Sequence, residues 1–460
     1  MSVTPVRRPL PGRWAPAEVL RALRADDRPV ALLGAWAAER GVRAVVASEP
    51  VAVAAPGDDP FAVLAGEPEV PARGIAVGGG WFGYLGYQLN RRLERLPPAP
   101  GPPPALPDHA LARYDHVLVQ DHDGRWWFEA LATPARERAL EHRHRTLARR
   151  LAAPGGPPAA RPHATAPFVL RPGPDAHARA VATTLDHIGR GDIFQANVCL
   201  RAESRLDGDP LDLFAAGLAA LAPAYAAYVR FPEGAVASFS PELFLRVAGR
   251  RVHTAPIKGT AVRDERDPAR AQAQERALLG SAKDRAENVM IVDLMRNDLG
   301  RTCAYGTVRV PALVRAEPHP GLWHLVSDVV GELRPGLGAA DALRAAFPPG
   351  SCTGAPKVRA MQVINAVEAT ARGAYTGAVG FLSPVAGLVT NVAIRTFEWS
   401  AATGVLLLGV GGGIVADSRP DAELAECVAK AFPVVTAVGG TLIGPGAPAV
   451  RPPAVTASRW

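Results

Sequence analysis

Two acidic segments have spacing that could hold a cation. SAKDRAENVMIVDLMRNDLGR, at 281–301, has helix-forming composition, with Val289, Met290, Val292, Leu294 and Met295 interleaved among acids. A three-residue step puts Asp284 and Glu287 on one face, and Ile291 and Leu294 continue that line. PDAELAECVAKAF, at 420–432, reads as a second helix, with Ser418 as its N-cap and Pro420 in its first turn. On it Glu423, Glu426 and Lys430 recur at i, i+3 and i+7. Mg2+ takes a few carboxylates and completes its shell with water and substrate oxygens, so two acid-bearing helices suit it. The plainer alternative is a pair of solvated faces with i,i+4 ion pairs such as Glu426 to Lys430, and spacing alone favours it.

Two glycine-rich loops follow from the pattern, PPGSCTGAPK at 348–357 and GVGGGIVADS at 409–418. The first lacks P-loop spacing, and the second has Ile414 where a dinucleotide fingerprint needs glycine, so ATP and NAD are poor ligands for either. Ser351, Thr353 and the amides ahead of a helix starting near Pro356 suit a carboxylate; a plain tight turn suits the same residues. Lys258 in TAPIKGT and Arg395 in NVAIRTF bring charge into apolar strands. A desolvated lysine can act as a nucleophile, although most such lysines reach out to solvent.

The elements that must position these groups lie mainly after residue 168, where helices, hairpins and motif-like loops run to about 440. Three regions are expected: a β-rich N-terminal part at 1–167, a catalytic part at 168–440 and a Pro/Ala-rich tail at 441–460. Pro-rich segments at 96–107 and 153–167 punctuate the first part. Between them HVLVQDHDGRWWFEAL reads as strand, turn and strand, and RERALEHRHRTLARRLAA as a helix. The uncharged stretch 376–394 is long enough for a membrane helix, but its glycines and Pro384 argue for a hairpin, GAVGFLS and LVTNVAIRTF around SPVAG. The net charge of +7 is spread over isolated arginines with no nucleic-acid-binding motif, which argues against a nucleic-acid partner. Cys199, Cys303, Cys352 and Cys427 form no CxxC pair, so neither a disulfide framework nor a zinc site is expected. With no apolar run behind Arg7 and Arg8, no export signal or membrane anchor is expected, and a cytoplasmic location follows.

In this order, GDIFQANVCLR, SFSPELFL, PIKGT, KDRAENVMIVDLMRNDLGR, HLVSDVVGEL, PGSCTGAPKVRAM, RGAYTGAVGFLS, NVAIRTF and GGGIVADSRPDAELAECVAKA resemble the chorismate-utilising enzyme family. That family includes the catalytic components of anthranilate and aminodeoxychorismate synthases and their isochorismate relatives. The similarity covers about 180–432. Within the family, PIKGT is most similar to the aminodeoxychorismate synthase component I branch, which carries lysine where anthranilate synthases carry alanine. Gln195 stands where water-adding members carry lysine. Cys352, Pro349 and Phe194 replace an aliphatic residue, a glycine and a tyrosine common in the family, and none removes a reacting group.

The resemblance implies an α+β fold of the anthranilate synthase component I type, with two packed antiparallel sheets flanked by helices. It implies Mg2+ on Glu287 and Glu426, with Asp284 and Glu423 as outer ligands. Arg395, Lys430, the Tyr375 hydroxyl and backbone near Thr353, Gly409, Gly411 and Gly412 would bind the dianionic substrate, and His324 would orient it. Glu242 would protonate the departing C4 hydroxyl, and Lys258 would add at C2 before ammonia displaces it. The implied product is 4-amino-4-deoxychorismate, on the route to 4-aminobenzoate. No Cys/His glutaminase constellation is visible, so a separate glutamine amidotransferase is the expected ammonia source. The rival expectations are an anthranilate synthase component I and a catalytically silent chorismate-binding subunit. Lys258 opposes the first, and the joint presence of Lys258, Glu242, Glu287 and Glu426 opposes the second.

Overall fold

In strand Val30–Ala37, Val30 and Leu32 pack into one apolar cluster while Ala31 and Leu33 pack into another. Strand Gly80–Leu85 repeats the pattern: Phe82 and Tyr84 join the first cluster, and Leu85 joins a third. A two-residue period buried on both sides is what a sheet covered on both faces requires. The computed structural model describes residues 3–71, 73–153, 158–161, 163–319 and 321–444. Parts of the second Pro-rich segment and most of the tail, from residue 445, lie outside the described residues.

Two sheets share the cluster around Leu32, Val45, Val119, Val229, Phe82, Tyr84, Val379 and Phe381. The larger sheet runs in spatial order through Val42–Ala47, Val30–Ala37, Tyr225–Phe231, Gly234–Ser240, Thr396–Ser400, Val405–Ile414 and Gln195–Asp207. The smaller runs from its edge strand Ile257–Val262 through Leu322–Glu332, Arg251–Ala255, Leu243–Ala248, Gly387–Val392 and Ala378–Ser383 to Gly80–Leu85 and His109–Tyr114. Every named ladder is antiparallel except the short pairing of Phe168–Arg171 with Leu442–Ile443. Helices Pro16–Ala22, Glu137–Leu151, Pro210–Leu221 and Pro420–Ala437 cover the outer face of the larger sheet. Pro60–Ala65, Ala282–Gly300 and Ala339–Ala346 cover that of the smaller. The result is the expected α+β architecture, in four layers.

Strands from before residue 167 are built into both sheets. Val30–Ala37 pairs with Tyr225–Phe231, and Gly80–Leu85 pairs with Ala378–Ser383. The expected hairpin forms from Ala378–Ser383 and Gly387–Val392. LVTNVAIRTF, however, is not one strand. It leaves the smaller sheet after Val392 and enters the larger sheet at Thr396, and Arg395 makes the crossing with φ +51°. Among the described residues no helix is long and apolar enough to cross a membrane.

GVGGGI is likewise no loop but the end of strand Val405–Ile414, paired along Gln195–Asp207. Its glycines serve packing. A Cβ at Gly409 would stand 2.1 Å from Tyr375 Cγ, one at Gly411 would stand 2.6 Å from Cys199 Sγ, and one at Gly413 would stand 2.5 Å from Gln195 Nε2. Ser418 also departs from expectation, because Arg419 is the N-cap of helix Pro420–Ala437. The Ser418 hydroxyl instead donates to Glu423 Oε1 at 2.6 Å and accepts from Val415 N.

Candidate active site

The candidate residues meet where the edge strand of the smaller sheet faces the glycine end of Val405–Ile414. Lys258 Nζ lies 3.4 Å from the point a Cβ on Gly413 would occupy. Helix Ala282–Gly300, capped by the Ser281 hydroxyl, docks against this edge strand with Asp284 packed over Gly259, which takes φ +85°. Glu287 follows on the same face, and Ile291 continues it into the core. Burial pushes the Glu287 carboxyl up, opposed by the charges of Lys258 and Lys283 and reinforced by Asp284 and Glu426. Glu287 therefore sits within electrostatic reach of the acids on the other helix.

On that helix Glu423 is buried, with Oε1 taken by Ser418 and Oε2 without a partner. A Cβ at Gly412 would stand 2.8 Å from Glu423 Oε2 and 3.8 Å from Glu426 Oε1. Lys430 bonds Glu426 Oε1 at 2.6 Å and the Gly411 carbonyl at 3.0 Å, so the i,i+4 ion pair that spacing suggested is formed. No three His, Cys, Asp or Glu groups among the described residues form a ready metal cage. Mg2+ needs none when substrate and water complete its shell, and the orphaned Glu423 oxygen beside Glu426 suits a hard cation.

Glu242 follows strand Gly234–Ser240 and is 3% exposed. Burial pushes its carboxyl up to about 7, while the Ser351 hydroxyl, the Lys258 charge and the Ile257 amide oppose that rise. Ser351 is held by the turn at Gly350–Cys352, which Lys357 ties down through the Ala346 and Pro348 carbonyls and Asp298. The next helix spans Lys357–Val367 and starts where expected. Thr353 is fully buried, and its hydroxyl donates within the turn to the Gly350 carbonyl. Neither Lys258 nor Arg395 forms an ion pair with a carboxylate among the described residues.

His324 is buried on the strand beside Lys258, its Nδ1 2.9 Å from the Thr260 hydroxyl and its Nε2 without a partner. Burial, then the charges of His319 and Arg395, bring its pKa down to about 3, so the ring is neutral near pH 7. Arg395 is thus close enough to act on it, and burial lowers its own pKa. Tyr375 packs against Gly409, its hydroxyl 3.8 Å from Cys199 Sγ.

Several groups at the site escaped the sequence as actors. Gln195 is fully buried with both amide atoms unpartnered, directly against Gly413. Arg372 pairs with Glu368 at 2.6 Å and donates to the carbonyls of Asn197 and Cys352, which ties the floor together. Glu398 accepts from Tyr375 N. Glu368 and Arg372 do stand four apart in the sequence, but helix Lys357–Val367 ends before them, so no helical pattern marked the pair.

A model of the chorismate binding enzyme family matches residues 43–436, and the chain belongs to that family. It is a chorismate-utilising enzyme, as the motif order implied. It is 38% identical over 379 residues to aminodeoxychorismate synthase component 1 of Salmonella typhimurium, covering 81% of each chain. It is 39% identical over 412 residues to anthranilate synthase component 1 of Streptomyces coelicolor, covering 85% of this chain and 80% of that one. The crystal structure of anthranilate synthase component I from Streptococcus pneumoniae superposes with a TM-score of 0.74 at 28% identity, covering 85% of this chain and 91% of that one.

Proposed function

We propose that the chain aminates chorismate at C4 to give 4-amino-4-deoxychorismate, with Lys258 as nucleophile and Glu242 as acid. The observation that carries this reading is the Lys258 amine, without a carboxylate ion pair among the described residues, acting on a buried carboxyl whose pKa is about 7. Such a carboxyl holds a proton near neutral pH and can give it to a leaving hydroxyl. In its neutral form Lys258 adds at C2; both conjugated ring double bonds shift by one bond, the C4–O bond breaks and Glu242 supplies the proton that makes water the leaving group. Ammonia then attacks C4, both double bonds shift back, the C2–N bond breaks and the lysine leaves with its nitrogen.

Arg395 meets a substrate carboxylate, and the neutral His324 offers Nε2 to a substrate oxygen. Mg2+ bound by Glu287 and Glu426, with Asp284 and Glu423 reaching it through water, would supply positive charge to the ring carboxylate. Ammonia comes from a separate glutamine amidotransferase, and free ammonium replaces it in vitro. Relatives bearing the aminodeoxychorismate synthase name at 38% identity support the reading. A second reading, formation of anthranilate, draws on the Streptomyces relative, and Lys258 opposes it. Product analysis by mass spectrometry and fluorescence, with chorismate, Mg2+ and ammonium, separates them. The expected product is 4-amino-4-deoxychorismate; fluorescent anthranilate would overturn the proposal.

A further inference from the structure

Strand Leu322–Glu332 is flanked by a bulge on each side, one step apart. Toward Ile257–Val262 the register pairs Ile257 with Val326 and then Thr260 with His324, so Lys258 and Gly259 together face Leu325. Toward Arg309–His319 it pairs Arg315 with Val326 and then Ala312 with Asp328, so Leu313 and Val314 together face Ser327. Two residues opposite one kink a strand and re-aim a side chain. On the first side Gly259, at φ +85°, takes the place over Leu325: a Cβ there would stand 3.0 Å from Leu325 Cδ1 and 3.0 Å from Asp284 Cβ. Lys258 is thereby released from that crowded face, and its Nζ reaches to 3.4 Å from the point a Cβ on Gly413 would occupy. On the second side the buried Val314 sits at φ +52°, a backbone conformation that strains a β-branched residue.

One side chain from helix Ala282–Gly300 holds both bulges. Asn288 Nδ2 donates to the Leu325 carbonyl at 3.1 Å, and Asn288 Oδ1 accepts from the Ser327 hydroxyl at 2.5 Å. The same hydroxyl accepts from Val314 N at 2.8 Å. Asparagine is a poor residue for a helix interior, and this one turns both ends of its amide to the sheet. Asn288 and Ser327 are buried, and Leu278, Val314 and Leu325 pack in one apolar cluster beside them, so a partner removed here leaves a buried polar group unpaired. Leu325, the residue that Asn288 grips, is the one opposite Lys258.

We propose that Asn288 is a positioning residue for Lys258: by holding Leu325 and Ser327 it fixes the bulge that aims the lysine amine at Gly413. The proposal rests on the reading of Lys258 as nucleophile. Asn288 touches no reacting atom and acts through the strand it grips. The strained bulge at Val314 belongs to the same clamp, since the Ser327 hydroxyl that takes its amide is the one that Asn288 accepts from.

The test compares wild type with Asn288→Ala, which removes both bonds, and with Ser327→Ala, a milder change that keeps the bond to Leu325. With chorismate, Mg2+ and saturating ammonium chloride, Asn288→Ala should lower kcat about thirtyfold and Ser327→Ala about threefold, with KM for chorismate within about twofold in each, the pattern of a misplaced reacting group. Unchanged kcat in both variants overturns the proposal, and so does a loss confined to KM. A second readout needs no turnover: in crystals of Asn288→Ala, or of Ser327→Ala should the first variant fail to fold, Lys258 Nζ should stand about 1 Å or more from its wild-type place beside Gly413. An amine that stays in place overturns the proposal, because a clamp that is merely structural lowers Tm and leaves the lysine where it was. A wild-type enzyme whose Lys258 forms no adduct with chorismate, alongside a displaced amine in the variant, overturns the nucleophile reading and leaves the clamp standing.

Discussion

Burial pushes the Glu242 carboxyl up to about 7, so part of it holds a proton at neutral pH, and this sets both its chemistry and its cost to stability. Its pKa of about 7 in the folded protein lies above that of an exposed glutamate, so the folded state binds the extra proton in the window between them. Stability therefore falls as pH rises through that window and stays lower above it, by about 3 kcal/mol for a fully buried group. Glu242→Gln should lower kcat by roughly 100-fold or more, the scale of a lost general acid. The same variant should melt higher than wild type at pH 8, with the gain disappearing below pH 4.5, as thermal unfolding across pH will record. A lower Tm for the variant at pH 8 would contradict the burial argument. At this scale the sequence named Glu242 and Lys258 through motif resemblance. The pairing of Glu242 with Ser351, a residue 109 positions away, depends on how the Gly350–Cys352 turn is folded back, and no local pattern encodes that.

The glycine strand shows why an element can be misread from its own residues. Glycine weakens strands, so GVGGGIVADS resembles a loop; the pairing with Gln195–Asp207 overrides that tendency, and the missing side chains make room for Tyr375, Cys199 and Gln195. Gly409→Ala should cost about 1–3 kcal/mol in urea unfolding and raise KM for chorismate, because the Tyr375 ring must shift. Helix Ala282–Gly300 was legible from its helix-forming composition; of the apolar residues named on it Val292, Leu294 and Met295 are buried, whereas Val289 is exposed. Glu129 gave no such signal. It sits fully buried in strand Trp126–Ala132 and accepts from the amides of Ala76, Val77 and Gly78, which anchors the loop leading into Gly80–Leu85. Glu129→Ala strands those amides, and a loss of about 3 kcal/mol is expected in the same unfolding assay.

Across the whole molecule, the site is assembled from segments as far apart as Gln195 and Lys430, and the two sheets hold them in register. The four layers followed from the motif order, but the route of the chain through them did not. NVAIRTF reads as one strand because nothing local marks Arg395 as the point where the chain leaves one sheet for the other. A fragment starting at residue 168 would expose Tyr225–Phe231 and Ala378–Ser383 on edges now covered by Val30–Ala37 and Gly80–Leu85. It should lack the single cooperative transition of the full chain, which urea unfolding by circular dichroism will show. The most direct test of the central claim, that Lys258 is the nucleophile, is intact-protein mass spectrometry of the enzyme held with chorismate and Mg2+ in the absence of ammonium. An adduct of chorismate less one water is expected, mapped to the peptide containing Lys258 and absent from Lys258→Ala. Absence of the adduct, with undiminished amination by Lys258→Ala, would contradict it.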